Sequence, residues 1–211
     1  MTQVVHVVDD DEGFRRSVAR LLRACGFGVK EYGSAQDFLD VKPEPGCILL
    51  DVRMPRMGGL ELQRRLVETE STLPIVFLSS HADVPDSVRA MKAGAEDFLS
   101  KPARKPELVG AVTRAFDRCR QNIERKSMHD ALHVLFETLT PRERQVFTLV
   151  VEGKLNKQVA HELNTTERTI KAHRHNVMSK LHVKSFAELM TFAEHLKSDA
   201  TPASWRQHES A

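Results

Sequence analysis

Long apolar runs are absent from this 211-residue chain, and no charged-then-apolar segment opens it, so neither a membrane-spanning helix nor a secretory signal is expected. Cysteine is scarce. Cys25, Cys47 and Cys119 are odd in number and widely separated, which argues against a disulfide framework or a thiolate zinc site and suits reduced thiols in a cytosol. A large net charge is also lacking, and the formal +2 is uninformative until the chain is divided near residue 120, with 18 basic and 18 acidic residues before that point and 13 and 11 after it. Within 165–184, Arg168, Lys171, Arg174, Lys180 and Lys184 accompany a single acid, Glu167, beside His173, His175 and His182. A short basic stripe therefore lies in the second half. The length accommodates two modest domains, each able to bury its own core.

What is present begins with an alternation. Val4–Val8 reads as a buried strand that stops at Asp9-Asp10-Asp11-Glu12, and a helix follows with Phe14, Val18, Leu21 and Leu22 on one face, stopped by Gly26. The series continues with a strand at Val29–Tyr32, a helix at Ser34–Asp40, a strand at Cys47–Leu50 and a helix from about Gly59 to Glu68. A strand at Ile75–Leu78, a helix from about Pro85 to Lys92, a strand at Asp97–Ser100 and a helix from Pro106 to about Cys119 complete it. Such alternation implies a parallel sheet covered by helices on both sides. Cys47-Ile48-Leu49-Leu50 shows no polar interruption, as a strand buried on both faces requires, and Asp51 sits where the run ends and the turn signals Pro55, Gly58 and Gly59 begin.

The C-terminal rim of an open parallel sheet is where ligands collect. Here it gathers Asp9 and Asp10 from the first strand, Asp51 from the third, Ser79 from the fourth and Lys101-Pro102 after the fifth. Three carboxylates at one rim repel each other unless a cation sits among them, and hard oxygen ligands suit Mg²⁺. Such an ion neutralises an incoming phosphoryl group and leaves one carboxylate free as its nucleophile. A lysine and a hydroxyl nearby can hold the remaining phosphoryl oxygens.

This ordered set, together with Met54-Pro55, Gly58-Gly59 and Ala93-Gly94-Ala95, resembles the receiver domain of two-component response regulators over roughly residues 1–120. The resemblance implies that Asp51 accepts a phosphoryl group from a sensor histidine kinase. It also implies that Asp9, Asp10, Asp51 and the backbone carbonyl of Arg53 hold Mg²⁺, that Ser79 is the switch hydroxyl, that Lys101 contacts the phosphoryl group and that Phe98 is the aromatic that changes rotamer. The Lys101-Pro102 bond is expected to be cis. Ala103 stands where many relatives carry Phe, and His81, close behind Ser79, reads as a loop histidine.

Beyond residue 120, Val112, Phe116, Cys119 and Ile123, and then Met128, Leu132, Leu135 and Leu139, repeat at helical spacing around a polar gap at 121–130. A helical linker at 121–138 is expected, packing within the chain or on a second copy. Thr140-Pro141-Arg142-Glu143 opens a helix with a capping box, and Gly153 ends it. Asn156 is expected to cap a second helix to Leu163, and Thr166 a third from Glu167 to Leu181. A fourth helix follows Ser185 and is expected to bury Phe186, Leu189 and Ala193. On the third, Ile170, Val177 and Leu181 point inward with His173 in phase, leaving Lys171, Arg174, His175 and Met178 outside. A helix with cationic and hydrogen-bonding groups on its outer N-terminal half suits the major groove. His173 and His175, two apart on a helix, point about 200° apart and cannot share a metal ion.

Residues 139–181 are similar to the effector domain of the NarL/FixJ regulators, with a LuxR-type helix-turn-helix, through Thr140-x-Arg142-Glu143, Gly153-x-x-Asn156-Lys157-x-Val159-Ala160, Thr169-Ile170-Lys171-x-His173 and Lys180-Leu181. By that likeness Lys171, Ala172 and His175 face base edges of double-stranded promoter DNA. Lys157, Thr166, Arg168, Thr169, Arg174 and Lys180 are the other residues expected at the DNA, phosphates above all. The implied architecture is a CheY-like α/β receiver with a five-stranded parallel doubly wound sheet (1–120), the linker, an all-α four-helix helix-turn-helix domain (139–197) and a flexible tail (198–211) containing Pro202 and Trp205. The implied function is a cytoplasmic transcription regulator that dimerises when phosphorylated and binds DNA, with RNA polymerase as a further partner. Two alternatives stay open: a Mg²⁺-dependent aspartyl-phosphate phosphohydrolase, which commonly carries an acid two residues after the nucleophile where this chain has Arg53, and a regulator acting without phosphorylation.

Overall fold

A computed structural model describes residues 3–80 and 84–198; His81, Pro202 and Trp205 lie outside the described residues. The chain divides into two compact units, with the boundary between Glu124 and Arg125.

In the first unit the strands are β1 (Val4–Val8), β2 (Gly28–Tyr32), β3 (Gly46–Asp51), β4 (Ile75–Ser79) and β5 (Asp97–Ser100), interleaved with α1 (Glu12–Ala24), α2 (Ala35–Leu39), α3 (Gly59–Glu68), α4 (Val84–Lys92) and the start of α5 (Lys105–Glu137), which continues past the unit's end at Glu124. All pairings are parallel in the order β2-β1-β3-β4-β5. β1, β3 and β4 are buried throughout, because alternate side chains feed two cores. Val5, Val7, Cys47, Leu49, Val76 and Leu78 pack with Val18 and Leu22 of α1 and Leu108, Val112 and Phe116 of α5. Val8, Ile48, Leu50 and Phe77 pack on the opposite side with Phe38, Leu62, Leu66 and Ala90. His6 lies on that second side, fully buried, with its ring nitrogens against the Tyr32 hydroxyl at 3.2 Å and the Glu44 carbonyl at 3.0 Å, and burial lowers its pKa.

Glycine is required where the chain passes closest to the sheet. A Cβ on Gly59 would stand 2.1 Å from the Asp51 carbonyl oxygen, so α3 can begin directly beneath the end of β3 only with hydrogen at that position.

α5 continues through the polar gap at 121–130, where the helical linker was expected, and the boundary between the two units lies within it. Residues 121–130 contain neither proline nor glycine, and nothing in their propensity stops a helix, so the polar gap is simply its solvated stretch. Leu108, Ala111, Val112, Ala115, Phe116 and Cys119 are buried in the first unit, whereas Leu132, Leu135 and Phe136 flank the core of the second.

That second core joins Leu139 to residues of α6 (Pro141–Val151), α7 (Asn156–Glu162), α8 (Glu167–Lys180) and α9 (Phe186–Ser198), among them Val146, Phe147, Val159, Ile170, Val177 and Phe192. Thr140 and Glu143 complete the capping box of α6, and Gly153 at φ 86° lets the chain leave it. Two local expectations are corrected. Leu155, not Asn156, occupies the cap position of α7: Gln158 Oε1 accepts from the Leu155 N–H at 2.8 Å, and the Asn156 carboxamide is engaged elsewhere. Phe186 is 47% exposed, because it starts α9 on the outer side of the stripe made by Leu189, Phe192, Ala193 and Leu196.

Candidate functional site

At the C-terminal rim of the sheet, β1 delivers Asp9 and Asp10, β3 delivers Asp51, and the segment after β5 delivers Lys101. One ligand oxygen from each of the three aspartates lies within 4.8 Å of the others. Asp9 is buried; its carboxylate accepts from the Asp11 N–H at 3.0 Å and from Lys101 Nζ at 2.5 Å, and its carbonyl accepts from Arg15 at 2.7 Å. The same ammonium stands 3.2 Å from Asp51 and 4.4 Å from the centre of the Phe14 ring. Asp11, next in the acidic run, caps α1 by accepting from the Phe14 N–H at 3.0 Å.

Asp51 is 8% exposed, and burial raises its pKa. Lys101 opposes that rise, while Asp9 and Asp10 reinforce it. Three carboxylates against one ammonium leave a net negative pocket of oxygen donors, the donor set a hard divalent cation takes. An open cleft of about 420 Å³ lined by Asp10, Asp11, Phe14, Asp51, Ser80, Lys101 and Pro102 admits a ligand to them.

Ser79 ends β4, is buried, and accepts the Lys101 N–H on its carbonyl at 2.7 Å, so the hydroxyl-bearing strand and the lysine are held in register. The Lys101-Pro102 bond is cis, as expected. Arg53 is exposed in the loop that folds back when the Gly59 N–H donates to the Val52 carbonyl at 2.9 Å. Phe98 is half-buried against Phe77, with ring centres 5.9 Å apart. Periodicity places Phe14 on the core face of the first helix and says nothing of the cleft, because its place there depends on where Lys101, distant in sequence, comes to lie.

In the second unit the exposed arc of α8 carries Arg168, Lys171, Ala172, His175, Asn176 and Ser179. Thr166 caps the helix, accepting from the Thr169 N–H at 3.2 Å, and the two hydroxyls bond to each other at 2.8 Å. Lys157 is exposed on α7. Two residues expected at phosphates have partners inside the domain. Arg174 donates to Asn156 Oδ1 at 2.6 Å, tying α7 to α8, and it is half-buried together with Met178 because both fall near the inward stripe. Lys180 donates to the buried Glu143 at 2.7 Å and to the Thr138 carbonyl at 3.2 Å. Burial pushes Glu143 up, but Lys180 and Thr140 outweigh it and hold the carboxyl below its ordinary range. Asn176 is an addition to the expected set, although helical phase places it one turn after Ala172.

A parallel-sheet domain with an acidic, lysine-bearing rim, joined to a helix-turn-helix domain, defines the class of a signalling receiver coupled to DNA. Comparison with known proteins agrees. Residues 5–113 match the family described as response regulator receiver domain, and residues 137–193 match the bacterial regulatory proteins of the luxR family. The chain belongs to the two-component response regulators of the NarL/FixJ type. It is similar to the response regulator protein TmoT of Ectopseudomonas mendocina, 43% identical over 196 residues, covering 92% of this chain and 89% of that protein. It is also similar to the transcriptional regulatory protein FixJ of Rhizobium meliloti, 39% identical over 191 residues, covering 90% and 94%. The solved structure of the response regulator StyR aligns with a TM-score of 0.70 at 42% identity, covering 92% of this chain and 99% of that one. The protein is thus a phosphorylation-dependent transcription regulator, and its family comprises regulators, not enzymes in the usual sense, which sets the phosphohydrolase alternative aside. Among the described residues, no helix is long and apolar enough to cross a membrane.

Proposed function

We propose that Asp51 is the phosphoacceptor and that Mg²⁺ is held by Asp9, Asp10, Asp51 and the Arg53 carbonyl. The observation that carries this is the convergence of three carboxylates and Lys101 on one cleft. Bound Mg²⁺ supplies neutralising charge for the phosphoryl group. An Asp51 oxygen attacks phosphorus as the phosphorus–nitrogen bond to the kinase histidine breaks, and the imidazole leaves with the electron pair. Lys101 transfers its contact from Asp51 to the phosphoryl oxygens, and the Ser79 hydroxyl donates to another of them. Phe98 then turns into the space behind the displaced Ser79. The phosphoryl group is lost again to water at the same centre, so self-phosphorylation from small donors and autodephosphorylation are the only turnover. A regulator acting without phosphate is the reading this site opposes.

The consequence is felt on α4, where Val84, Val88 and Met91 form an exposed apolar stripe, 72%, 44% and 46% accessible. An exposed apolar stripe at helical spacing, on the helix that follows the Ser79 strand in the chain, favours homodimerisation of the phosphorylated form there. Two copies of α8 then reach two half-sites of promoter DNA. Lys171, Ala172, His175 and the additional Asn176 face bases. Lys157, Thr166, Arg168 and Thr169 reach phosphates, and the N-terminus of α8 favours the same anions. Arg174 and Lys180 act by positioning α8. Receiver 1–120, linker 121–138 and DNA-binding domain 139–197 are the working divisions. A cytoplasmic location, a sensor histidine kinase and RNA polymerase complete the setting.

The test is sedimentation and operator binding with beryllofluoride and Mg²⁺. Wild type is expected to dimerise and bind more tightly, while Asp51→Asn responds to neither. An equal response from both proteins overturns the assignment.

A further inference from the structure

We infer that His129 and His133, on the part of α5 that lies between the two family matches, form a binding site for a first-row divalent transition metal such as Zn²⁺. The chain has ten histidines, and these two are its only pair spaced i, i+4. That spacing puts both imidazoles on one helix face a single turn apart, the arrangement by which helical histidine pairs share a metal ion. Their ring centres are 4.4 Å apart with the planes inclined at 60°.

A zinc ion bound at about 2.0–2.1 Å by two imidazoles in tetrahedral geometry needs its two nitrogens roughly 3.3 Å apart. Rings with centres 4.4 Å apart on one helix face are close enough for their nitrogens to approach that separation. A second observation points to a ligand. Nε2 of His129 is buried and, among the described residues, has no hydrogen-bond partner. A nitrogen withdrawn from water with no donor or acceptor is destabilising, and a coordinate bond to its lone pair relieves that. His133 is exposed and leaves the ion's remaining positions open to water.

The site is chemically distinct from the carboxylate cleft. Oxygen donors there take a hard ion such as Mg²⁺, whereas imidazole nitrogens select Zn²⁺, Ni²⁺ or Cu²⁺. Among the described residues the three aspartates are the only preformed group of three or more metal-binding side chains, so the histidine pair is a two-ligand clamp. A clamp across one turn binds the helical form and not the frayed one, and so stabilises α5 in residues 125–137. Metal supply would thereby act on the segment joining the phosphorylated domain to the DNA-binding domain, independently of Asp51.

The experiment is calorimetric titration of the full chain with ZnCl₂ in saturating MgCl₂, alongside His129→Gln, His133→Gln and His161→Gln, with hydrogen exchange followed in α5. Ligation by the second imidazole is intramolecular, so removing either histidine is expected to weaken binding by about 10²-fold. His161→Gln is expected to match wild type. Zn²⁺ should slow exchange of the amides in 125–137 in wild type and in neither linker variant. A stoichiometry of one ion per two chains, lost in both variants, also supports the site, with a second copy completing it. Wild-type affinity in both His129→Gln and His133→Gln, or no Zn²⁺ binding by wild type, overturns the proposal.

Discussion

Replacing Asp51 by Asn changes the charge of the cleft without changing its shape. Three carboxylates face one ammonium, so the ionised cleft is formally −2, and the substitution brings it to −1. Burial raises the Asp51 pKa, with Lys101 opposing and the other two aspartates adding to the rise. A carboxyl whose folded pKa lies above its unfolded value contributes stability that is fully present below the unfolded pKa, near about pH 4, and is lost as pH rises through the folded one. In a chelator the wild type should therefore lose stability relative to Asp51→Asn between about pH 4 and neutrality. Mg²⁺ should act the other way, stabilising the wild type more than the variant. An ion bound with a dissociation constant on the order of 1 mM stabilises the fold by about 1.4 kcal/mol at 10 mM, against about 0.4 kcal/mol for a site ten times weaker. The difference of about 1 kcal/mol corresponds to roughly 3–6 °C in the receiver transition. Scanning calorimetry at both pH values, with and without Mg²⁺, reads all four conditions. Equal Mg²⁺ shifts in the two proteins would refute Asp51 as a ligand, and a variant no more stable than wild type in chelator at neutral pH would refute the electrostatic account.

Gly59→Ala should cost about 2–4 kcal/mol or prevent folding, since the added carbon meets the Asp51 carbonyl at 2.1 Å; a denaturant midpoint within error of wild type would show that α3 shifts freely. Glu143→Ala removes the acceptor shared by the Thr140 N–H, the Thr140 hydroxyl and Lys180, and a loss of about 2–4 kcal/mol is expected in the unfolding of the second unit. Near-neutral stability there would mean that water replaces the carboxylate. Lys171→Ala should cost about 1–3 kcal/mol and relax sequence preference, while Arg168→Ala should weaken all DNA alike and reduce the slope of log affinity against log salt by about 1. Fluorescence anisotropy over a salt series separates the two, and identical slopes in both variants and wild type would contradict the division between base and phosphate contacts.

Much of the fold is legible in the sequence because buried parallel strands write near-continuous apolar runs. Val4–Val8, Gly46–Asp51 and Ile75–Ser79 are buried residue for residue, and each run stops at the polar group it delivers to the rim. Caps are legible for a similar reason: Thr140 with Glu143, and Thr166 with Thr169, act over three residues and need no distant partner. The cap expected of Asn156 failed because of a distant partner. Asn156 has the chemistry of a cap, but its carboxamide is engaged by Arg174, 18 residues on. The polar stretch 121–130 has the composition of a linker, and it is helical together with the residues before and after it, with the boundary between the two units inside it.

The order of strands and helices, the rim aspartates and the basic outer face of α8 were determined by the sequence alone, since periodicity and local hydrogen bonding act over a few residues. Tertiary structure alone decided which charges meet. Lys101 reaches Asp9 from 92 residues away and lies over Phe14, and Lys180 closes on Glu143 from 37 away. A lysine's sequence neighbours are the same whether its ammonium faces solvent, a phosphate or a buried carboxylate. Only the packing of the strands and helices that carry both partners sets the distance on which their electrostatic interaction depends.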